Sequence, residues 1–179
     1  MEWEAIYARA RRTTPCVVLK ETPVKTDIYW YHTFEKLHAW DSSKSEAFWR
    51  GCRSRGSLLH LLWHCPKLKR YWNEVLDSLD ARVLPEDTLP KFIVLGVSDR
   101  LTYLVGSPKG KRLTMLLCAA KVAILEAWGT ARVPEHVQWL PKVWGIVGME
   151  KLTFTVEQRG AEFEKQRAPC LQYGKTDIY

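Results

Sequence analysis

The chain has 179 residues, 46% of them hydrophobic and 26% charged. A chain of that length buries about 70% of its unfolded surface, and its apolar content excludes a wholly disordered polypeptide. The net charge is +7, which leans towards an anionic partner, and nine tryptophans supply either a large core or exposed stacking faces.

The five cysteines stand at 16, 52, 65, 118 and 170. An odd, scattered set is no secreted disulfide framework. The opening MEWEAIYARARR carries acids at 2 and 4 and no apolar h-region, so it does not read as a signal peptide. The longest charge-free apolar helical run, Leu113 to Ala120, is far too short for a bilayer. The expectation is an intracellular protein with reduced thiols, cytoplasmic or nuclear.

In chain order, Met1 to Arg12 predicts a short amphipathic helix, with Trp3, Ile6 and Tyr7 on one face. CVVLKETPVKTDIYWYHT, residues 16–33, is β-branched and aromatic and reads as strand or extended chain. Phe34 to Trp40 predicts a helix, and Asp41 to Ser45 a polar loop. Gly51 to Gly56 predicts a tight basic loop. Ser57 is a candidate N-cap for the helical LLHLLWHC that follows. Pro66 interrupts, and Lys67 to Leu79 resumes with Leu68, Trp72, Val75 and Leu79 on one face. Pro85 and Pro90 bracket a loop, and Phe92 to Val97 is a short run open to strand or buried helix.

Ser107-Pro108 then sets an N-cap with proline at N1. Lys109 to Trp128 is apolar on most sides, as a buried central helix would be. Pro134 opens a further helix with Pro141 inside it. From Val156 onward a polar, frayed tail is expected. KTDIY occurs at 25–29 and again at 175–179, too short a unit to define a structural repeat.

From Ala47 to Asn73 there is no acid, while six bases stand there: Arg50, Arg53, Arg55, Lys67, Lys69 and Arg70. Trp49, Trp63, Tyr71 and Trp72 are interleaved with them. Bases that neutralise phosphates beside aromatic faces that stack are the elements of a single-strand binding surface. The expectation is a contiguous exposed patch of all six, with Trp49 or Tyr71 as stacking face and Trp63 and Trp72 in the core. The alternative is a solvated basic face over a tryptophan-rich core.

Within this stretch Cys52, His60 and Cys65 have the spacing C-x7-H-x4-C. Thiolate and imidazole are zinc's preferred ligands, and H-x4-C matches the end of a zinc knuckle. The three are expected to converge whether or not metal is bound. His64 is the alternative ligand, since His60 and His64 at i, i+4 share a helix face. His32, His38 or Cys16 would have to reach the site from afar. The competing reading is two buried cysteines and a core histidine.

No catalytic set emerges. The chain holds no Gly-rich phosphate loop, GxSxG or HExxH, and no cluster of carboxylates for two-metal chemistry. It is not expected to be an enzyme.

WRGC at Trp49 to Cys52, GSLLHLLWHCPKL at Gly56 to Leu68, and Tyr71-Trp72 resemble the cysteine-rich C-terminal segment of a vertebrate LINE-one-type, non-LTR retrotransposon reverse transcriptase polyprotein, its second open reading frame product. WYHTFEKLH at Trp30 to His38, Leu95-Gly96, LLCAAKVAI, Trp128, WLPKVW and MEKLTF follow in the family's order, so the resemblance covers roughly 25–155. It implies that Cys52, His60 and Cys65 occupy three of four Cys/His positions, with Phe48 where the first cysteine stands in the family. It also implies contact with nucleic acid, chiefly RNA. Endonuclease and polymerase domains would lie N-terminal, so a diverged copy or fragment is expected.

The fold expected is mainly α: an irregular helical domain around the Lys109 to Trp128 helix, with a small Cys/His loop-helix element. Four regions follow: an N-terminal helix and extended connector (1–46), a basic Cys/His element (47–80), a helical core (81–155) and a polar tail (156–179). The function expected is non-catalytic RNA binding. The alternative is a helical structural or protein-interaction module with no nucleic-acid role.

Overall fold

A computed structural model describes residues 4, 21–22, 24–26, 30–48, 50–79 and 107–173. The protein is mainly α-helical, as the proline punctuation and helical periodicity predict. No strand occurs among the described residues, only a single antiparallel bridge between Ala47 and Arg55. The predicted helix over 1–12 (Glu4 apart), the Pro85–Pro90 loop, the Phe92–Val97 run and the second KTDIY lie outside the described residues. Residues 21–22 and 24–26 are helical, and Thr26 Oγ1 donates to the Thr22 carbonyl at 2.8 Å. Strand is therefore excluded for that part of 16–33.

Helix α1 (Phe34–Trp40) starts where Thr33 Oγ1 accepts the Lys36 amide. A π-turn (His60–His64) and a 3₁₀ turn (Pro66–Leu68) lead into α2 (Lys69–Ser78). The central helix is α3 (Pro108–Glu126), with Pro108 at N1 and Ser107 Oγ accepting the Gly110 amide at 3.0 Å. Helix α4 (His136–Val156) opens on a capping box between Glu135 and Gln138. Pro141 lies inside α4, whose helix is assigned without a break.

The core gathers on α3. Met115, Leu116, Ala119, Ala120 and Ile124 are completely or almost completely buried. The alanines leave room for close approach, and α4 packs along this helix. Three aromatic side chains each bury a ring and spend their polar atom on a backbone carbonyl of another element. Trp139 of α4 donates Nε1–H to the Leu116 carbonyl at 3.1 Å. Tyr71 of α2 donates its hydroxyl to the Ala120 carbonyl at 3.0 Å. Trp72 donates Nε1–H to the Leu62 carbonyl at 2.8 Å. These bonds fix α2, α3, α4 and the π-turn to one another.

The polar tail expected over 156–179 is corrected in its described part, up to Tyr173. Helix α5 (Gly160–Gln166) and a 3₁₀ turn (Ala168–Gln172) fold back onto α3 and α4. Phe163 stacks on Phe154 with centroids 6.0 Å apart, and Cys170 is buried. The guanidinium of Arg167 meets the carboxylate of Glu150, both fully buried. The physical reason is pairing. A buried charge is tolerated when an opposite one meets it, so a segment polar by composition still enters the core.

Candidate metal centre

The loop before the π-turn is closed by backbone bonds. The Phe48 amide donates to the Ser54 carbonyl at 3.0 Å, and the Gly56 amide to the Glu46 carbonyl at 2.9 Å. Two glycines make this closure possible. Gly51 has φ +69°, a left-handed conformation that L side chains rarely adopt. At Gly56 a Cβ would stand 2.7 Å from Phe34 Cβ, so α1 packs on the loop only because no side chain is there. Arg53 also takes a positive φ, +56°. The loop thereby turns Cys52 back towards the π-turn.

Ser57 begins the next element as predicted, its Oγ accepting the His60 amide at 3.1 Å. The winding then departs from expectation. The Cys65 amide bonds to the His60 carbonyl at 3.0 Å, an i+5 to i bond that defines a π-turn rather than an α-turn. On an α-helix His60 and Cys65 would point about 140° apart. The wider π-turn brings i and i+5 nearly above one another, so both face Cys52.

Cys52 Sγ lies 3.0 Å from His60 Nε2. The ligand atoms of Cys52, His60 and Cys65 all fall within 4.8 Å of one another. Corners of a tetrahedral zinc site stand about 3.3–3.8 Å apart, given ligand bonds of about 2.0–2.3 Å. Small side-chain rotations thus place all three on one ion, and this group is able to hold a metal. Cys52 is half-buried, and His60 and Cys65 are buried. Burial holds the His60 imidazole below its ordinary value, and the nearby charges of Arg50 and His64 act in the same direction. A neutral imidazole is the form that ligates metal.

His64 is exposed and does not join the group; the π-winding selects Cys65 instead. His38 is engaged elsewhere, its Nδ1 2.6 Å from the Lys44 carbonyl and its Nε2 3.3 Å from Glu46. His32 packs edge-on against Trp40. Cys16 lies outside the described residues. Phe48 is buried with its ring 5.5 Å from the His60 ring.

No protein-family model matches the chain.

The expected basic patch is corrected at two positions. Arg50 is 1% exposed. Its Nη1 donates to the Leu61 carbonyl at 3.0 Å, and its guanidinium lies 4.9 Å from the Phe48 ring centroid. Burial lowers its affinity for its proton, and the sulfurs of Cys65 and then Cys52 act to restore it. Its Nε and Nη2 find no well-placed acceptor among the described residues, and the Cys65 thiol is the side chain they face. Arg50 therefore serves the thiol group and not the surface. Sequence reasoning missed this role, and the only signal was its i, i+2 spacing to Cys52. Tyr71, expected as a stacking face, is 2% exposed; its hydroxyl bond to Ala120 draws the ring inside. Trp72 is buried and Trp63 partly buried against it, as expected. Trp49 lies outside the described residues.

The other five bases are exposed, with unequal charge to offer. Arg55 is bonded to Glu35 at 3.2 Å and Glu46 at 3.5 Å, and Arg70 to Glu74 at 2.8 Å. The acid-free stretch is met in space by acids from outside it. Arg53, Lys67 and Lys69 pair with no acid among the described residues. Lys67 Nζ lies over the loop, 3.7 Å from where a Cβ of Gly51 would stand.

Proposed function

We propose that this chain is a non-catalytic RNA-binding segment of the LINE-type retrotransposon class, with its Cys/His group as a zinc-holding element. The observation that carries this reading is the meeting of Cys52, His60 and Cys65 inside the block that resembles the family. Arg53 and Lys67 flank the same loop. Zinc would be held by the two sulfurs and His60 Nε2, and it would lock the loop against the π-turn. Three ligands leave one corner of a structural site open.

The binding surface proposed is smaller than the sequence implies, with Arg53, Lys67 and Lys69 as the phosphate contacts. The test is an anisotropy titration of single-stranded RNA at several salt concentrations. Three phosphate contacts predict a slope of log affinity on log salt near about −2, at roughly −0.7 per contact. Binding that ignores salt, or none at low salt, overturns the reading.

A second reading has its own support. Met149, Leu152 and Val156 of α4 are exposed, at 58%, 63% and 83%, and fall within about 60° of one another around the helix. That display favours a helical protein-interaction module, and such a module would show salt-insensitive partner binding.

A further inference from the structure

We propose that Cys52 and Cys65 form an oxidisable pair, in which Cys52 meets a peroxide and Cys65 closes a disulfide onto it. The inference rests on neither the RNA nor the zinc reading. It rests on the placement of four side chains.

The two sulfurs are within 4.8 Å of each other, while a disulfide bond measures about 2.05 Å. Cys52 sits between two residues of positive φ, Gly51 and Arg53, at the turn of a loop, so its side chain is carried by a turn and not by a packed helix. It is half-buried whereas Cys65 is 1% exposed; a small oxidant reaches Cys52 first. His60 Nε2 stands 3.0 Å from Cys52 Sγ, which fixes the position of that sulfur beside Cys65. The buried Arg50 guanidinium stands beside these sulfurs, interacting first with Cys65 and then with Cys52. An oxygen added to sulfur there is a stronger acceptor for a guanidinium N–H than the thiol it replaces.

The chemistry balances with hydrogen peroxide as oxidant. The Cys52 sulfur attacks one peroxide oxygen, the O–O bond breaks and an S–O bond forms. The sulfur is oxidised by two electrons, and the departing hydroxide leaves as water with the thiol proton. The Cys65 sulfur then attacks the Cys52 sulfur. The S–O bond breaks, the S–S bond forms, and the released hydroxide takes the Cys65 proton as a second water. One peroxide and two thiols give one disulfide and two waters.

The remaining described thiols make internal controls. Cys118 is 1% and Cys170 0% exposed, and burial pushes the Cys170 thiol up to about 11. Neither is within the Cys52 group.

The test treats the full chain with a chelator, exposes it to hydrogen peroxide, denatures and alkylates it, and maps the peptides by mass. The expected product is a linked Cys52–Cys65 peptide, lighter by two hydrogen atoms and restored by dithiothreitol. In Cys65→Ser the linked peptide is lost, and dimedone traps a sulfenic acid on Cys52. Should the serine variant not fold, the parent's peptide map decides alone. Cys52 joined to Cys16 or to a second chain overturns the proposal, as does oxidation of Cys118 or Cys170 before Cys52. A zinc-loaded arm reports on the other reading separately. Oxidation slowed at least tenfold by zinc supports both the pair and the metal site, because the metal occupies the same sulfurs. Unchanged oxidation with the same linked product supports the pair and sinks the zinc reading.

Discussion

Phe48 stands edge-on to His60, ring centroids 5.5 Å apart with planes at 76°. If the retrotransposon resemblance holds, a cysteine would stand at position 48. The Phe48 ring lies beside the group, so a thiol placed at position 48 would start next to His60.

Phe48→Cys is accordingly predicted to complete the site. Zinc affinity, measured by competition with a chromophoric chelator, should rise at least tenfold over the parent. Without zinc the variant should lose about 3–5 kcal/mol, the usual cost of truncating a buried phenylalanine, and zinc should restore much of that in a thermal melt. An affinity equal to the parent's would show that position 48 does not reach the metal.

Replacing Arg53 and Lys67 together by alanine should weaken RNA binding equally for all sequences, because phosphate contacts carry no sequence information. The salt slope should become shallower by about 1.4, two contacts at roughly −0.7 each. Arg55→Ala should change it less, since Glu35 and Glu46 already hold that charge. The readout is anisotropy against salt for two unrelated RNA sequences.

The metal-free protein should be less stable in mild acid on account of His60. Burial, with Arg50 and His64 nearby, lowers its folded-state value. The unfolded chain then takes up a proton near pH 6.5 while the folded one resists. More protons bound by the unfolded state means stability rises with pH. The contribution of His60 is full above about pH 6.5 and is lost as pH falls towards the depressed folded value. Urea midpoints between pH 7.5 and 5 should fall with acid in the parent and fall less in His60→Gln. Equal pH dependence in both would exclude His60 as the source.

Glu150→Gln should destabilise the fold by about 3–5 kcal/mol, the range for breaking a buried pair by removing one partner. It leaves Arg167 inside the protein without its carboxylate. Urea denaturation measures it, and a loss under about 1 kcal/mol would mean water reaches the pair. The same measurement checks whether residues 157–173 belong to the core.

Much of the helical frame was legible from local chemistry. Ser107-Pro108 and the apolar run behind it specify α3 because capping and burial act within a few residues. Phe34 to Trp40, the Ser57 cap and the break at Pro66 were readable for the same reason. The Cys52, His60 and Cys65 spacing likewise contained their convergence, since a short loop can return a chain only so far.

Tertiary structure decided what depends on residues distant in sequence. Whether His64 or Cys65 faces Cys52 turned on one i+5 hydrogen bond, which no periodicity at 3.6 residues forecasts. Arg50 and Arg55 look alike in a charge count, yet one lies under Phe48 beside two sulfurs and the other is held by Glu35 and Glu46. Arg167 looked like tail and is core, because Glu150 waits for it one helix away. Composition reports how much charge a chain carries; only the packed structure assigns each charge its partner, and that pairing determines whether it faces water, metal or another side chain.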